Sequence, residues 1–153
     1  MINFIEKMDQ LLNGLIGYKS WYLKDKYLTK AILINPKLKT VTEVELAEPI
    51  LNSMYKHMEC ELISIAGYMP GGESGQEDTV FADDEGLFVE DNHFSTIPGI
   101  TQQAVAGNML IVGCDEEGEA ISPQYTSLAD IAKKVVFIGD RADVRKHLAL
   151  ELS

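Results

Sequence analysis

The feature that most constrains this chain is the way its aliphatic runs are joined. "AILINP", "TVTEVEL", "CELISIAGYM", "TVFAD", "GLFVED", "NMLIVGCD" and "GEAIS" follow one another between residues 31 and 122, and a helical pattern intervenes only between the second and third. Parallel strands need crossovers of a dozen or more residues, usually helical, whereas antiparallel strands close through short turns. The pattern therefore predicts an α+β fold, with a mainly antiparallel sheet built from hairpins and flanked by N- and C-terminal helices.

Helical periodicity appears at both ends and once in the middle. Ile2, Phe4, Ile5, Met8, Leu11, Leu12, Leu15 and Ile16 recur at three- and four-residue spacings, with Asn3 and Glu6 suited to cap and Gly17 to stop the helix. "YKSWYLKDKYLTK" interleaves Tyr18, Trp21, Tyr22 and Tyr27 with lysines. Their spacing suits a core or linker role better than stacking on bases. Ile50, Leu51, Met54, Tyr55 and Met58 mark the central helix, with Pro49 in its first turn. Ser127 stands three before Asp130 at the start of "LADIAKK", "VVFIG" reads as a strand, and Asp140 caps a last helix carrying Val144 and Leu148 inward. "PGGESGQED" and residues 92–107 read as loops. At 153 residues the chain fits one domain able to bury about 70% of its unfolded surface. It divides into an N-terminal extension (1–29), an α+β core (30–122) and a C-terminal helix-strand-helix segment (123–153).

Net charge is −11, and its placement is uneven: no Lys or Arg stands between Lys56 and Lys133, while residues 57–132 hold fifteen Asp or Glu. Such a stretch repels phosphate, so direct nucleic-acid binding is not expected, and a basic or DNA-handling protein is the natural partner. The N-terminus lacks a basic start and small-residue cleavage site, and no apolar run is long enough to span a bilayer. Two cysteines are too few for a disulfide scaffold. These features point to a cytoplasmic protein without membrane association. The amphipathic first helix offers a route to a homo-oligomer.

"FADDEGLF" and "GCDEEGEA" share one grammar, an acidic cluster ending in Gly86 or Gly118 between strand-like runs. Both read as hairpin turns whose glycine supplies a positive φ. Their acids, Asp83, Asp84, Glu85 and Asp115, Glu116, Glu117, are the candidate binding residues, as the turn tips of an acidic surface. Metal chemistry has weaker signals. The carboxylates from Asp83 to Asp91 lack calcium-loop spacing. His57 and Cys60 stand three apart, with only His93 and Cys114 as remote further zinc ligands. "PGGESGQED" lacks the Gly-Lys-Ser/Thr of a phosphate loop, Ser74 lacks the spacing of a nucleophile elbow, and Cys114 has acidic neighbours that disfavour a thiolate. No cofactor and no catalytic residue is assigned.

"KAILINPKLKTVTEVEL", the helix leading to "MECELISI", "VFADDEGLF" and "AGNMLIVGCDEEGEAIS" together resemble a family of small uncharacterised domains of bacteriophages and other mobile elements, over residues 30–122. The shared features are a strand pair, a D-D-E-G-L turn and a G-N-x-L-I-V strand. The resemblance implies a mobile-element context and carries no mechanism or functional residue. The expectation is a non-enzymatic accessory protein that binds another protein through an acidic surface, including as a mimic of DNA's charge. The alternative is a small divalent-metal-dependent enzyme or ligand-binding domain using the 83–91 carboxylates.

Overall fold

The computed structural model describes residues 28–71, 77–102 and 104–152. The first helical pattern, the aromatic segment 18–27 and Ser74 lie outside them, and with them the proposed self-association face.

β1 (Thr29–Asn35) and β2 (Thr40–Leu46) form the expected hairpin, followed by α1 (Ile50–Met58), β3 (Ile63–Pro70) and β4 (Glu77–Asp83). A single 3₁₀ turn (Gly86–Phe88) leads to β5 (Phe94–Thr96), β6 (Val105–Ala106), β7 (Met109–Cys114) and β8 (Ala120–Ile121). α2 (Leu128–Lys134), β9 (Val136–Gly139) and α3 (Arg141–Leu152) complete the chain. The larger sheet runs β2-β1-β7-β4-β3 with β8 beside β7, and the smaller runs β6-β5-β9. Every strand pair is antiparallel. This is the α+β architecture that the short connections predict. Among the described residues no helix is long and apolar enough to cross a membrane.

β7 explains the layering. Its first five residues are all buried, and strand side chains alternate between faces. Met109 and Ile111 pack with Ile32, Ile34, Val80, Ile97 and Ile131, while Leu110 and Val112 pack with Ala31, Leu46, Met54 and Met58. α1 thus covers one face, and the smaller sheet with α2 covers the other. Residues 123–153 contribute directly: Ile131 is fully buried in the first cluster, and β9 pairs with β5.

The turn chemistry is local. Asn35 Oδ1 accepts from the N–H groups of Lys37 and Leu38, closing the first hairpin. Ser127 caps α2 by accepting from Asp130 N–H at 3.1 Å. Asp140 and Asp143 cap α3 reciprocally, each carboxylate accepting the other's N–H. The Asp143 N–H bond is the first of the causes that hold the Asp140 carboxyl below its ordinary pKa. This cap contributes above the unfolded carboxyl pKa and is lost as pH falls through the lowered folded value.

Three expectations are corrected. Residues 92–107 contain β5 and β6, three and two residues long, too short to carry a readable alternation. "GLFVED" is no strand: its first residues form the 3₁₀ turn. "PGGESGQED" is not a loop to its end, because β4 starts at Glu77. Asp78 is consequently a strand residue with no solvent exposure. Its Oδ1 accepts from Gln124 N–H at 2.9 Å, and its Oδ2 accepts from Tyr125 N–H at 2.9 Å and the Thr126 hydroxyl at 2.7 Å. A buried carboxylate is tolerated because these donors replace water. Asp78→Ala leaves all three without their acceptor, so unfolding free energy should fall by about 3 kcal/mol or more, and Asp78→Asn should lose less. Urea denaturation checks this; an unchanged midpoint in Asp78→Ala would refute the anchor.

Candidate functional site

The two acidic turns are at opposite ends of the larger sheet. Ala82 pairs with Met109, so Asp83 continues past the start of β7, whereas Asp115 follows its last residue. At about 3.3 Å per residue, seven steps separate them by roughly 20 Å. Asp83, Asp84 and Glu85 therefore do not share one compact surface with Asp115, Glu116 and Glu117.

The turns also differ in kind. At the β7–β8 turn Asp115 Oδ1 accepts from the N–H groups of Glu117 and Glu119 at 2.9 and 2.8 Å, and Gly118 has φ +86°. That is the expected hairpin. At the other end Asp83 Oδ1 accepts from Glu85 N–H at 2.9 Å, and Asp84 N–H donates to Leu62 O at 3.0 Å. The chain then enters the 3₁₀ turn and leaves the sheet. Gly86 does not have the expected positive φ. It is required by proximity: a Cβ there would sit 2.6 Å from the carbonyl oxygen of Ala106.

Beyond Gly86 the chain presents an apolar tip. Leu87 is 64% and Phe88 83% exposed, and Val89 is also exposed. The tip is held from behind. Arg141, the first residue of α3, donates from Nε to Glu90 O at 3.2 Å and from Nη2 to Val89 O at 3.0 Å and to Leu87 O. Its guanidinium also lies 5.6 Å from the centre of the Phe94 ring. Asn92 Nδ2 donates to Gly86 O at 2.8 Å, and Phe88 N–H to Glu85 O at 3.0 Å. Asp84, Glu85, Glu90 and Asp91, all exposed, surround the tip. Sequence reasoning finds the acids and misses Arg141, because nothing in the pattern of a helix's first residue shows that it reaches back about fifty positions.

Two hollows flank Asp83. One, of about 270 Å³, lies against Ser64, Ile65, Asp84, Leu87 and Val105. The other, of about 230 Å³, is lined by polar groups that include Lys37, Glu59, Asp91, His93 and Asn108. His93 Nδ1 is shielded from solvent and has no hydrogen-bond partner. The Asp91 carboxylate makes no hydrogen bond or ion pair among the described residues.

His57 and Cys60 serve local packing. His57 Nε2 is 3.0 Å from Glu45 O, and its own carbonyl accepts from Asn108 Nδ2 at 3.2 Å. Among the described residues no three His, Cys, Asp or Glu side chains are grouped to hold a metal ion. Burial, and then the Asp83 carboxylate, push the Cys60 thiol up to about 11, whereas Cys114 is exposed. At pH 8 iodoacetamide should alkylate Cys114 readily and Cys60 slowly, with the Cys60 rate rising toward pH 11 and increasing in Asp83→Asn. Stability follows the same shift: between the ordinary thiol value of 9.0 and about 11 the unfolded state releases a proton that the folded state keeps, so stability falls as pH rises. Equal alkylation rates for the two thiols would refute the shift.

Comparison with protein-family models, with curated proteins and with solved structures finds no match for this chain.

Proposed function

We propose that this is a non-enzymatic accessory protein of mobile-element origin, acting in the cytosol, that binds another protein through the acidic end carrying Asp83, Asp84 and Glu85. The observation that supports this most is Phe88, 83% exposed on a turn that Arg141 ties down through backbone carbonyls. Burying an exposed aromatic in a partner's pocket contributes about 1.5–3 kcal/mol. Holding the turn in place beforehand reduces the ordering that binding would otherwise require. The carboxylates around it form a polar rim that steers a basic partner and rejects an acidic one.

The separation of the two acidic turns favours this compact docking site over an extended mimic of DNA's charge, which needs carboxylates at phosphate spacing along one face. A divalent-metal site at residues 83–91 draws less support, because among the described residues no three His, Cys, Asp or Glu side chains are grouped to hold an ion and hard cations take six or more oxygen ligands.

A photo-cross-linking residue at position 88, used in host lysate, identifies the partner, and binding is then measured with the purified pair. Phe88→Ala should weaken affinity by about 10–100-fold with the melting temperature unchanged. Asp84→Asn with Glu85→Gln should weaken it less and reduce its dependence on salt. Arg141→Gln, which keeps the Phe88 side chain but releases the turn that carries it, should also weaken binding. Undiminished binding by Phe88→Ala, together with indifference to salt, would overturn the proposal.

A further inference from the structure

The strands at the ends of the two sheets are not alike. β6 and β9 bound the smaller sheet and are only two and four residues long. β2, at one side of the larger sheet, carries exposed Glu43 and Glu45, the first of them 3.4 Å from Lys30 Nζ. Shortness and outward charge are the ordinary guards of a sheet edge. β3, at the other side, has neither. It is eight residues long, "ISIAGYMP" holds no charged residue, and Ile65 and Tyr68 are 52% and 45% exposed.

Along an antiparallel strand at a sheet's edge, alternate N–H and C=O groups point away from the neighbouring strand. Among the described residues β3 pairs with β4 alone, and no backbone group from Ser64 to Met69 bonds elsewhere. An extended chain can complete that row. Ser64, Ile65 and Ala66 also border the hollow that Leu87 lines, so the edge runs up to the tip.

Charge selects the occupant. A second copy is a poor match: antiparallel self-pairing brings Glu61, just before β3, toward Glu77 of the other copy, which is paired with Pro70 at the far end of the strand, and like charges set opposite one another destabilise a sheet. The register shift between Ile65 and Gly67 also bends the edge away from a flat self-pairing. A strand with basic ends instead meets Glu61 and Asp84 at one end and Glu77 at the other, all exposed. We infer that β3 takes up an extended segment of the partner protein as an additional strand, apolar at alternate positions and flanked by lysine or arginine, while Phe88 engages that same partner. The inference rests on the docking function proposed above and specifies its chemistry.

The test begins with amide hydrogen exchange on the full chain alone. The β3 amides not bonded to β4 should exchange as fast as loop amides at every protein concentration. Slow exchange in dilute solution would mean that another part of this chain fills the edge, and slowing with concentration that a second copy does; either overturns the inference. The probe is then an acetylated, amidated peptide of alternating valine and threonine with lysines at both ends. It should protect those amides saturably, and a version ending in glutamates should bind about tenfold more weakly. The lysine peptide N-methylated at two adjacent central residues, which blocks both of its edges, should give no protection. Ile65→Lys with Tyr68→Lys, both at exposed positions, should lose the peptide with the melting temperature unchanged. No protection by the lysine peptide, equal binding by its N-methylated form, or unchanged binding by the double variant would overturn the inference. The partner assay separates its failure from that of the docking function. Loss of partner binding in Phe88→Ala but not in the double variant removes strand addition and leaves docking intact; loss in neither removes both.

Discussion

Burial of β7 on both faces is the constraint on which the rest of the structure depends. Met109 and Ile111 need one apolar cover and Leu110 and Val112 another, so a single sheet with one solvated face cannot accommodate this strand. The chain meets the requirement with α1 on one side and the smaller sheet with α2 on the other. Two sheets then have to be joined. β4 belongs to the larger and β5 to the smaller, and the residues between Asp83 and Phe94 are the passage from one layer to the next. "FADDEGLF" is not a hairpin because its strand's successor lies in a different sheet. The exposed tip at Leu87 and Phe88 is a product of that passage, held at the rim where the layers meet.

The charge distribution shapes how the passage and its counterpart loop are held. With no lysine or arginine from residue 57 to residue 132, a buried acid in this stretch has no neighbouring cation in the chain. Asp78 is satisfied instead by two backbone N–H groups and a hydroxyl from residues 124–126, which ties the loop before α2 to the larger sheet. Carbonyls of the tip are satisfied by a cation brought from outside the acidic stretch, Arg141. Both devices connect the C-terminal segment to the core. The segment that begins at residue 123 is therefore part of what holds the tip.

Legibility in the sequence follows the length over which a pattern is repeated. β1, β2, α1 and β7 were readable because "AILIN", "TVTEVEL", "ILNSMYKHM" and "MLIV" carry enough residues to display a period, and the caps at Ser127 and Asp140 because their partners lie three residues away. β5 and β6 are three and two residues long, below the length at which alternation can be seen. "GLFVED" resembled a strand because its apolar residues suit one, yet Leu87, Phe88 and Val89 are turned outward. Propensity alone does not show which apolar residues a fold leaves uncovered. Of the candidate site, the acids were legible as turn formers. The hollow and Arg141 were not, since each depends on contacts between distant segments.

The two acidic turns show why composition is a poor guide to function here. "DDEG" and "DEEG" share their residue types, and in each the first aspartate of the turn, Asp83 or Asp115, accepts backbone N–H groups. At Gly118 the constraint is torsional, a φ of +86° with open space around the α-carbon. At Gly86 it is steric, the nearness of the Ala106 carbonyl. A torsional constraint closes a hairpin whose exposed acids are Glu116, Glu117 and Glu119. A steric one presses the turn against β6, and the chain continues into a segment that Arg141 can hold with its apolar residues outward. Of these two turns, the one at Gly86 sets exposed apolar residues beside its acids, and the docking proposal rests on that difference.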